Sequence, residues 1–149
     1  MLPQLLERSG NFSTGSITGL YTVLSEGDDV NEPISDTVRS IIDGHIVLSR
    51  ALAMKNHYPA IDVLASISRL MSELVDDEHK ELAGKIRRIL SVYRENQDLI
   101  SIGAYKAGTN AELDRVLGCM DKIDAFLRQR VDESYSYEED LEQMRLAVE

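Results

Sequence analysis

The segment SITGLYTVLS, residues 16–25, constrains the fold most, because an extended chain with this composition is apolar or small on both of its faces. Such a strand belongs inside a parallel sheet, with a strand on each side and helices above and below. Pro33, at the favoured first helical position, opens a helix that carries Ile34, Val38, Ile41 and Ile42 on one face and ends before Gly44. HIVLS, residues 45–49, then reads as a second apolar strand. Strand, helix and strand in this order form the crossover unit of a parallel sheet. Two strands do not make a viable sheet, so the first third of the chain reads as the tail of an α/β domain whose other strands lie elsewhere.

Beyond residue 49 the pattern changes. Residues 50–57 and 60–71 read as helical or loop-helical, interrupted at HYP (57–59), since the residue before a proline is pushed away from helical geometry. From Asp76 to about Ile100, Leu82, Ile86, Ile89, Leu90, Tyr93 and Ile100 recur at helical spacing. A second helix is expected from a capping box at Thr109 and Glu112, presenting Leu113, Val116, Leu117, Met120, Ile123, Phe126 and Leu127. A third follows a box at Ser136 and Glu139, with Leu141 and Met144 facing inward. The expected fold class is therefore α+β but mainly α, a few strands followed by a helical bundle. The expected divisions are 1–71, 72–131 and an acidic linker with a terminal helix at 132–149.

Charge narrows the partners. The net charge is −10, of which residues 132–149, with seven acidic side chains against Arg145, carry −6. This balance argues against general nucleic-acid affinity, which requires clustered Lys and Arg. Cys119 is the single cysteine, so the chain forms no internal disulfide, and a reducing compartment fits. No apolar run reaches the ~18 residues of a membrane span.

Few residues announce chemistry. SEGDDVNEP, residues 25–33, groups carboxylates at Glu26, Asp28, Asp29 and Glu32, but lacks the alternation of a calcium loop and reads as a solvated acidic loop at a strand end. His45, His57 and His79 are scattered, without HExxH pairing, and no metal site is expected. GNFSTGSITG supplies glycines but no GxxxxGK[ST], so the chain holds no phosphate cradle of its own. Arg69 interrupts a run of Ser, Ala and Ile. It reads either as one partner of a salt bridge, to Asp62 or Glu73, or as a guanidinium delivered to phosphate oxygens. Tyr58 reads either as a packed surface aromatic or as a plate for a base.

The words ERSG, GSIT, EGDD, NEP, DGHIVLSR, HYPAIDVLAS and SR, in this order over residues 4–71, resemble the flagellar protein-export ATPases, in the part that follows the Walker B strand. DDEHKELAGKIRR and DLISIGAYKAGTNAELD resemble the flagellar branch more than its sister ATPases of virulence type III secretion, and rotary ATP synthase catalytic subunits are more distant kin. The resemblance fades beyond Gln129. It implies the last strands of a RecA-like P-loop domain, a C-terminal helical domain, and a homohexameric ring with ATP and Mg at subunit interfaces.

Carried over by position, Arg69 would be an arginine finger reaching a neighbour's nucleotide, and Tyr58 the aromatic packed on adenine. The loop Glu26, Gly27, Asp28, Asp29, Asn31, Glu32 and Pro33 would face a central stalk protein. Export chaperones, export substrates and a regulator of the ATPase are the other implied partners, at a cytoplasmic location peripheral to the export apparatus. The Walker A loop, the catalytic glutamate and the Walker B aspartate have no counterpart in this sequence, and the resemblance places Met1 inside the RecA-like domain. This chain by itself is therefore expected to bind no ATP or Mg, to be inactive as a hydrolase, and to associate through unpaired strand edges. The alternatives are a virulence secretion ATPase and a non-enzymatic helical module that binds a chaperone or stalk.

Overall fold

The computed structural model describes residues 2–24 and 33–149, which divide into two compact units. The first comprises residues up to His45 together with Ser68–Leu70. Helix α1 (Leu2–Leu6) packs on α2 (Pro33–Ile41), and Leu6 and Val38 are the side chains buried there. Between them in sequence, β1 (Gly10–Phe12) and β2 (Gly15–Ile17) form an antiparallel hairpin with Gly10 opposite Ile17 and Phe12 opposite Gly15. Gly15 sits at φ 149°, a conformation closed to side chains with a Cβ, which explains a glycine at the exit of this turn. Strand β3 (Gly44–His45) follows α2.

The expected buried strands are not there. Among the described residues of SITGLYTVLS only Ser16 and Ile17 are in a ladder; residues 18–24 are irregular and Leu20 is 97% exposed. Of HIVLS only His45 is in a strand, while Ile46 and Leu48 are exposed, and Leu48 makes an isolated antiparallel bridge to Ile61. No parallel ladder links the two segments among the described residues. A strand gains its main-chain hydrogen bonds from neighbours, and without them apolar side chains alone do not hold a chain extended. The expected helix, by contrast, forms from Pro33 with Val38 inward.

The second unit comprises Ile46–Ile67 and Met71–Glu149. Its first part is α3 (Arg50–Met54), capped by Ser49, then turns that end at Ile67, the first residue of β4 (Ile67–Ser68); α4 (Met71–Leu74) resumes the unit. Residues 60–70 are thus turn and short strand instead of helix. Asp62 is the reason: its carboxylate accepts from the main-chain N–H groups of Leu64 (3.0 Å) and Ala65 (3.1 Å), an Asx turn that competes with helical hydrogen bonding.

The core lies among α5 (Asp77–Ser101), α6 (Ala111–Leu127) and α7 (Tyr137–Val148). Leu82 and Ile86 of α5, Cys119 and Ile123 of α6, and Leu141, Met144 and Ala147 of α7 form one buried cluster, flanked by Ile89, Leu90, Phe126 and Leu127. Asp76 caps α5 by accepting from the His79 N–H at 2.8 Å. Gly103, at φ 68°, ends α5: its N–H donates to Ile100 O (3.1 Å) and that of Ala104 to Leu99 O (3.0 Å), the paired bonds of a Schellman motif. The expected box at Thr109 gives way to Asn110, whose side chain accepts from Glu112 and Leu113 N–H, while Thr109 donates to Lys106 O and Glu112 pairs with Arg88 at 2.7 Å. The box at Ser136 and Glu139 forms as expected. Helix α7 carries the acidic end of the chain, and Arg145 joins it to Glu78 of α5 through bonds of 2.6 and 2.9 Å.

Helix α5 also grips the 62–66 turn. Arg87 donates to the carbonyls of Val63 (2.8 Å), Ser66 (3.3 Å) and Leu64 (3.4 Å), and Arg94 meets Asp62 at 2.8 Å. Burial alone pushes the Asp62 carboxyl up. Hydrogen bonds from Arg94 and from the Ala65 and Leu64 N–H groups, with the charge of Arg94, outweigh burial and hold it below the usual carboxylate range.

Ile123 is 0% exposed, so Ile123→Ala should cost about 2–5 kcal/mol in urea unfolding followed by circular dichroism. Val131→Ala, at a fully exposed site, should stay within about 0.5 kcal/mol. The folded Asp62 carboxyl titrates below its unfolded value, so its contribution is complete above the unfolded pKa of about 3.9 and is lost as pH falls through the folded one. Arg94→Met should therefore lower stability by about 1 kcal/mol at neutral pH, with the gap from the parent closing as pH falls through the lowered pKa of the folded carboxyl.

Candidate functional site

The residues singled out by sequence fall in both units, and each is described within its own. Arg69 belongs to the first. Its main-chain N–H donates to Asp43 O at 2.8 Å, and Nη2 of its guanidinium donates to Arg39 O at 3.0 Å. The side chain is exposed. The alternative salt bridge is not formed: Asp62 is taken by Arg94, and no carboxylate lies within ion-pair distance of Arg69 among the described residues. One carbonyl occupies one of the five N–H donors of a planar fork. Such a planar donor group is suited to phosphate or carboxylate oxygens.

Tyr58 belongs to the second unit and is 53% exposed. It sits on a turn between α3 and the 62–66 segment that begins at Asn56, whose φ of 55° lies in the left-handed region that Asn tolerates better than other residues with a Cβ. The Tyr58–Pro59 peptide is cis. The Tyr58 carbonyl accepts from the Gln129 N–H at 3.0 Å, so the turn is joined to the segment leaving α6. Tyr58, Asn56 and residues 128–133 line an open depression with one flat aromatic wall. A planar ring partly exposed beside polar side chains fits a heteroaromatic base, which stacks on a π face and keeps its edge in contact with polar groups.

The loop Glu26 to Glu32 lies outside the described residues; Pro33, its last expected member, is the first residue of α2. Among the described residues no three His, Cys, Asp or Glu side chains converge to hold a metal ion. His79 instead bonds the Tyr137 hydroxyl at 2.8 Å, and His57 pairs with Asp124 at 3.1 Å. Nor is any helix among them long and apolar enough to cross a membrane.

Sequence reasoning missed the groups that hold this turn. Arg87 and Arg94 are seven residues apart on α5 and so share a face, a spacing visible in the sequence, but nothing in it names the turn they grip. His57 and Asp124 are 67 residues apart, and no local pattern connects them.

Comparison with known proteins places this arrangement. Residues 1–68 match the nucleotide-binding domain of the ATP synthase alpha/beta family, and residues 75–146 match the T3SS EscN ATPase C-terminal domain. The chain is 54% identical to the flagellum-specific ATP synthase of Treponema pallidum over 138 residues, covering 93% of this chain and 31% of that protein. It is 53% identical over 132 residues to the SPI-2 type 3 secretion system ATPase of Salmonella typhimurium, covering 89% of this chain and 30% of that one. The assembled ATPase EscN of the enteropathogenic E. coli type III secretion system superposes with a TM-score of 0.95 at 44% identity, over 99% of this chain and 36% of its own. EscN has also been solved with its central stalk EscO, where the TM-score is 0.88 at 42% identity, over 99% of this chain and 35% of that one. The chain thus spans about a third of the length of the relatives it matches. With both family matches in sequence order and about half of its residues identical to members of two branches, the chain belongs to the flagellum-specific and type III secretion ATPase family.

Proposed function

We propose that this chain is the part of a flagellar protein-export ATPase that completes nucleotide sites without cradling the phosphates. Such an enzyme hydrolyses ATP as a homohexamer to drive type III protein export. The observation that carries the reading is that Arg69 presents an exposed guanidinium, with no carboxylate partner among the described residues, in the one unit, and Tyr58 a half-exposed aromatic in the other.

Each residue has a distinct task. Tyr58 holds the base by stacking. Arg69 reaches the nucleotide of a neighbouring subunit, where its fixed charge and planar donors stabilise negative charge gathering on the transferring phosphoryl group. ATP supplies that phosphoryl group and water accepts it. The sequence carries no GxxxxGK[ST] loop, so on this reading Arg69 and Tyr58 act on a nucleotide whose phosphates are anchored by other segments.

The remaining partners follow from the same reading. Residues 26–33 meet a central stalk, and the helices α5 to α7 present the surface on which export substrates, their chaperones and a regulator of the ATPase dock. The location is cytoplasmic, peripheral to the export apparatus at the inner membrane. Identities of 54% and 53% to a flagellar and a virulence member keep a virulence secretion ATPase as the second reading.

The test is a chimera in which this chain replaces the matching 138 residues of the Treponema pallidum flagellum-specific ATPase, assayed by phosphate release. Arg69→Ala should lower kcat by about 10³-fold or more with little change in nucleotide KM. Arg69→Lys should recover little of it, since an ammonium lacks the planar fork. A kcat within tenfold of the parent after Arg69→Ala would remove the finger assignment.

A further inference from the structure

His57 is the buried polar residue of the described chain, 7% exposed, and the proposed catalysis makes no use of it. An imidazole leaves water at a cost unless its polar atoms find partners. Its Nδ1 lies 3.1 Å from Asp124 Oδ1; a carboxylate only accepts, so Nδ1 carries the hydrogen. Its main-chain N–H donates to Leu52 O at 3.0 Å.

The contacts continue past this pair. Asp124 Oδ2 accepts from Arg128 Nε at 3.0 Å, and Arg128 is the residue at which α6 ends, with an extended backbone at φ −97° and ψ 134°. The next residue, Gln129, donates its N–H to the Tyr58 carbonyl. The path therefore leaves the turn at residue 57, follows the last turn of α6, and returns at residue 58. A single link would let the turn pivot about it. Two links from adjacent residues, one to Asp124 in the last turn of α6 and one to Gln129 just past its end, fix both the place and the direction of the Tyr58 backbone.

We propose that His57, acting through Asp124 and Arg128, is a positioning residue for the nucleotide base: it sets Tyr58 against residues 128–133 so that ring and loop form the two walls of a slot. The inference rests on the reading that Tyr58 stacks on a base. His57 touches neither the base nor the phosphates, so its loss weakens binding of the base and leaves the chemical step intact.

Two measurements separate this inference from the reading beneath it. On the chain itself, hydrogen exchange of the Gln129 amide should speed up about tenfold or more in His57→Met, which keeps the volume and removes the bond. It should return to near the parent rate in His57→Asn, whose amide nitrogen replaces Nδ1. In the chimera with the Treponema pallidum enzyme, Tyr58→Ala should raise the KM for ATP about tenfold. There, His57→Met should raise KM roughly threefold or more with kcat within twofold, and add nothing on top of Tyr58→Ala. Unchanged Gln129 exchange in His57→Met overturns the positioning role whatever Tyr58 does. Faster exchange with an unchanged KM, where Tyr58→Ala does raise KM, reduces His57 to a purely structural part. An unchanged KM in Tyr58→Ala removes base stacking and the inference with it. Should His57→Met fail to fold, Asp124→Ala, at the half-exposed end of the pair, replaces it in both measurements, and the same changes in exchange and KM uphold or overturn the proposal.

Discussion

Burial of the apolar stripe of α6 between α5 and α7 is the constraint from which the second unit is built. Ile123 and Leu113 are the most completely buried large side chains, and the seven-residue cluster around Ile123 draws on all three helices. Removing this apolar area from water supplies most of the driving force, at about 25 cal/mol per Å². It also fixes the axial rotation of each helix, because only one rotation places Leu82, Ile86, Cys119, Ile123, Leu141 and Met144 inward together. Once rotation is set, the polar face of α5 has no freedom either. Arg87 and Arg94 project where they meet the 62–66 turn, and Asp124 projects where it meets His57.

A non-helical segment is thereby placed by a helical core without entering it. Residues 56–66 contain little regular structure, yet they are held at Asp62, at the Val63, Leu64 and Ser66 carbonyls, at His57 and at the Tyr58 carbonyl. Each bond contributes only about 1 kcal/mol net. Their number and convergence matter more than their individual strength, since each removes a different direction of motion. The base stacking proposed for Tyr58 would need this kind of support, since stacking binds through area and orientation.

The helices were legible in advance for a physical reason. Their apolar residues recur at 3.6-residue spacing, their ends carry Pro33, Asp76 and the Ser136–Glu139 pair, and these signals act over a few residues of the chain. The errors lie where two local signals compete or where the partner is remote. Thr109 and Asn110 both offer a cap, and the amide of Asn110 wins by accepting from two N–H groups at once. Residues 60–70 carried apolar side chains compatible with a helix, and the carboxylate of Asp62 captured the main chain first. The apolar runs at 16–25 and 45–49 suit strands, but strand formation is decided by neighbours, and among the described residues no sheet joins the two runs and each contributes only its first one or two residues to a two-stranded sheet.

The sequence alone determined the helical segments, the lack of a GxxxxGK[ST] word, and the family. All of these are properties of short windows or of words in fixed order. Tertiary structure decided that Asp62 belongs to Arg94, so that Arg69 meets no carboxylate among the described residues, and that His57 is buried on Asp124. It decided too that Tyr58 stands half-exposed against the segment leaving α6. These are pairings over 32 to 71 residues of sequence, and an ion pair or hydrogen bond depends on distances of about 3 Å that only the packed helices establish.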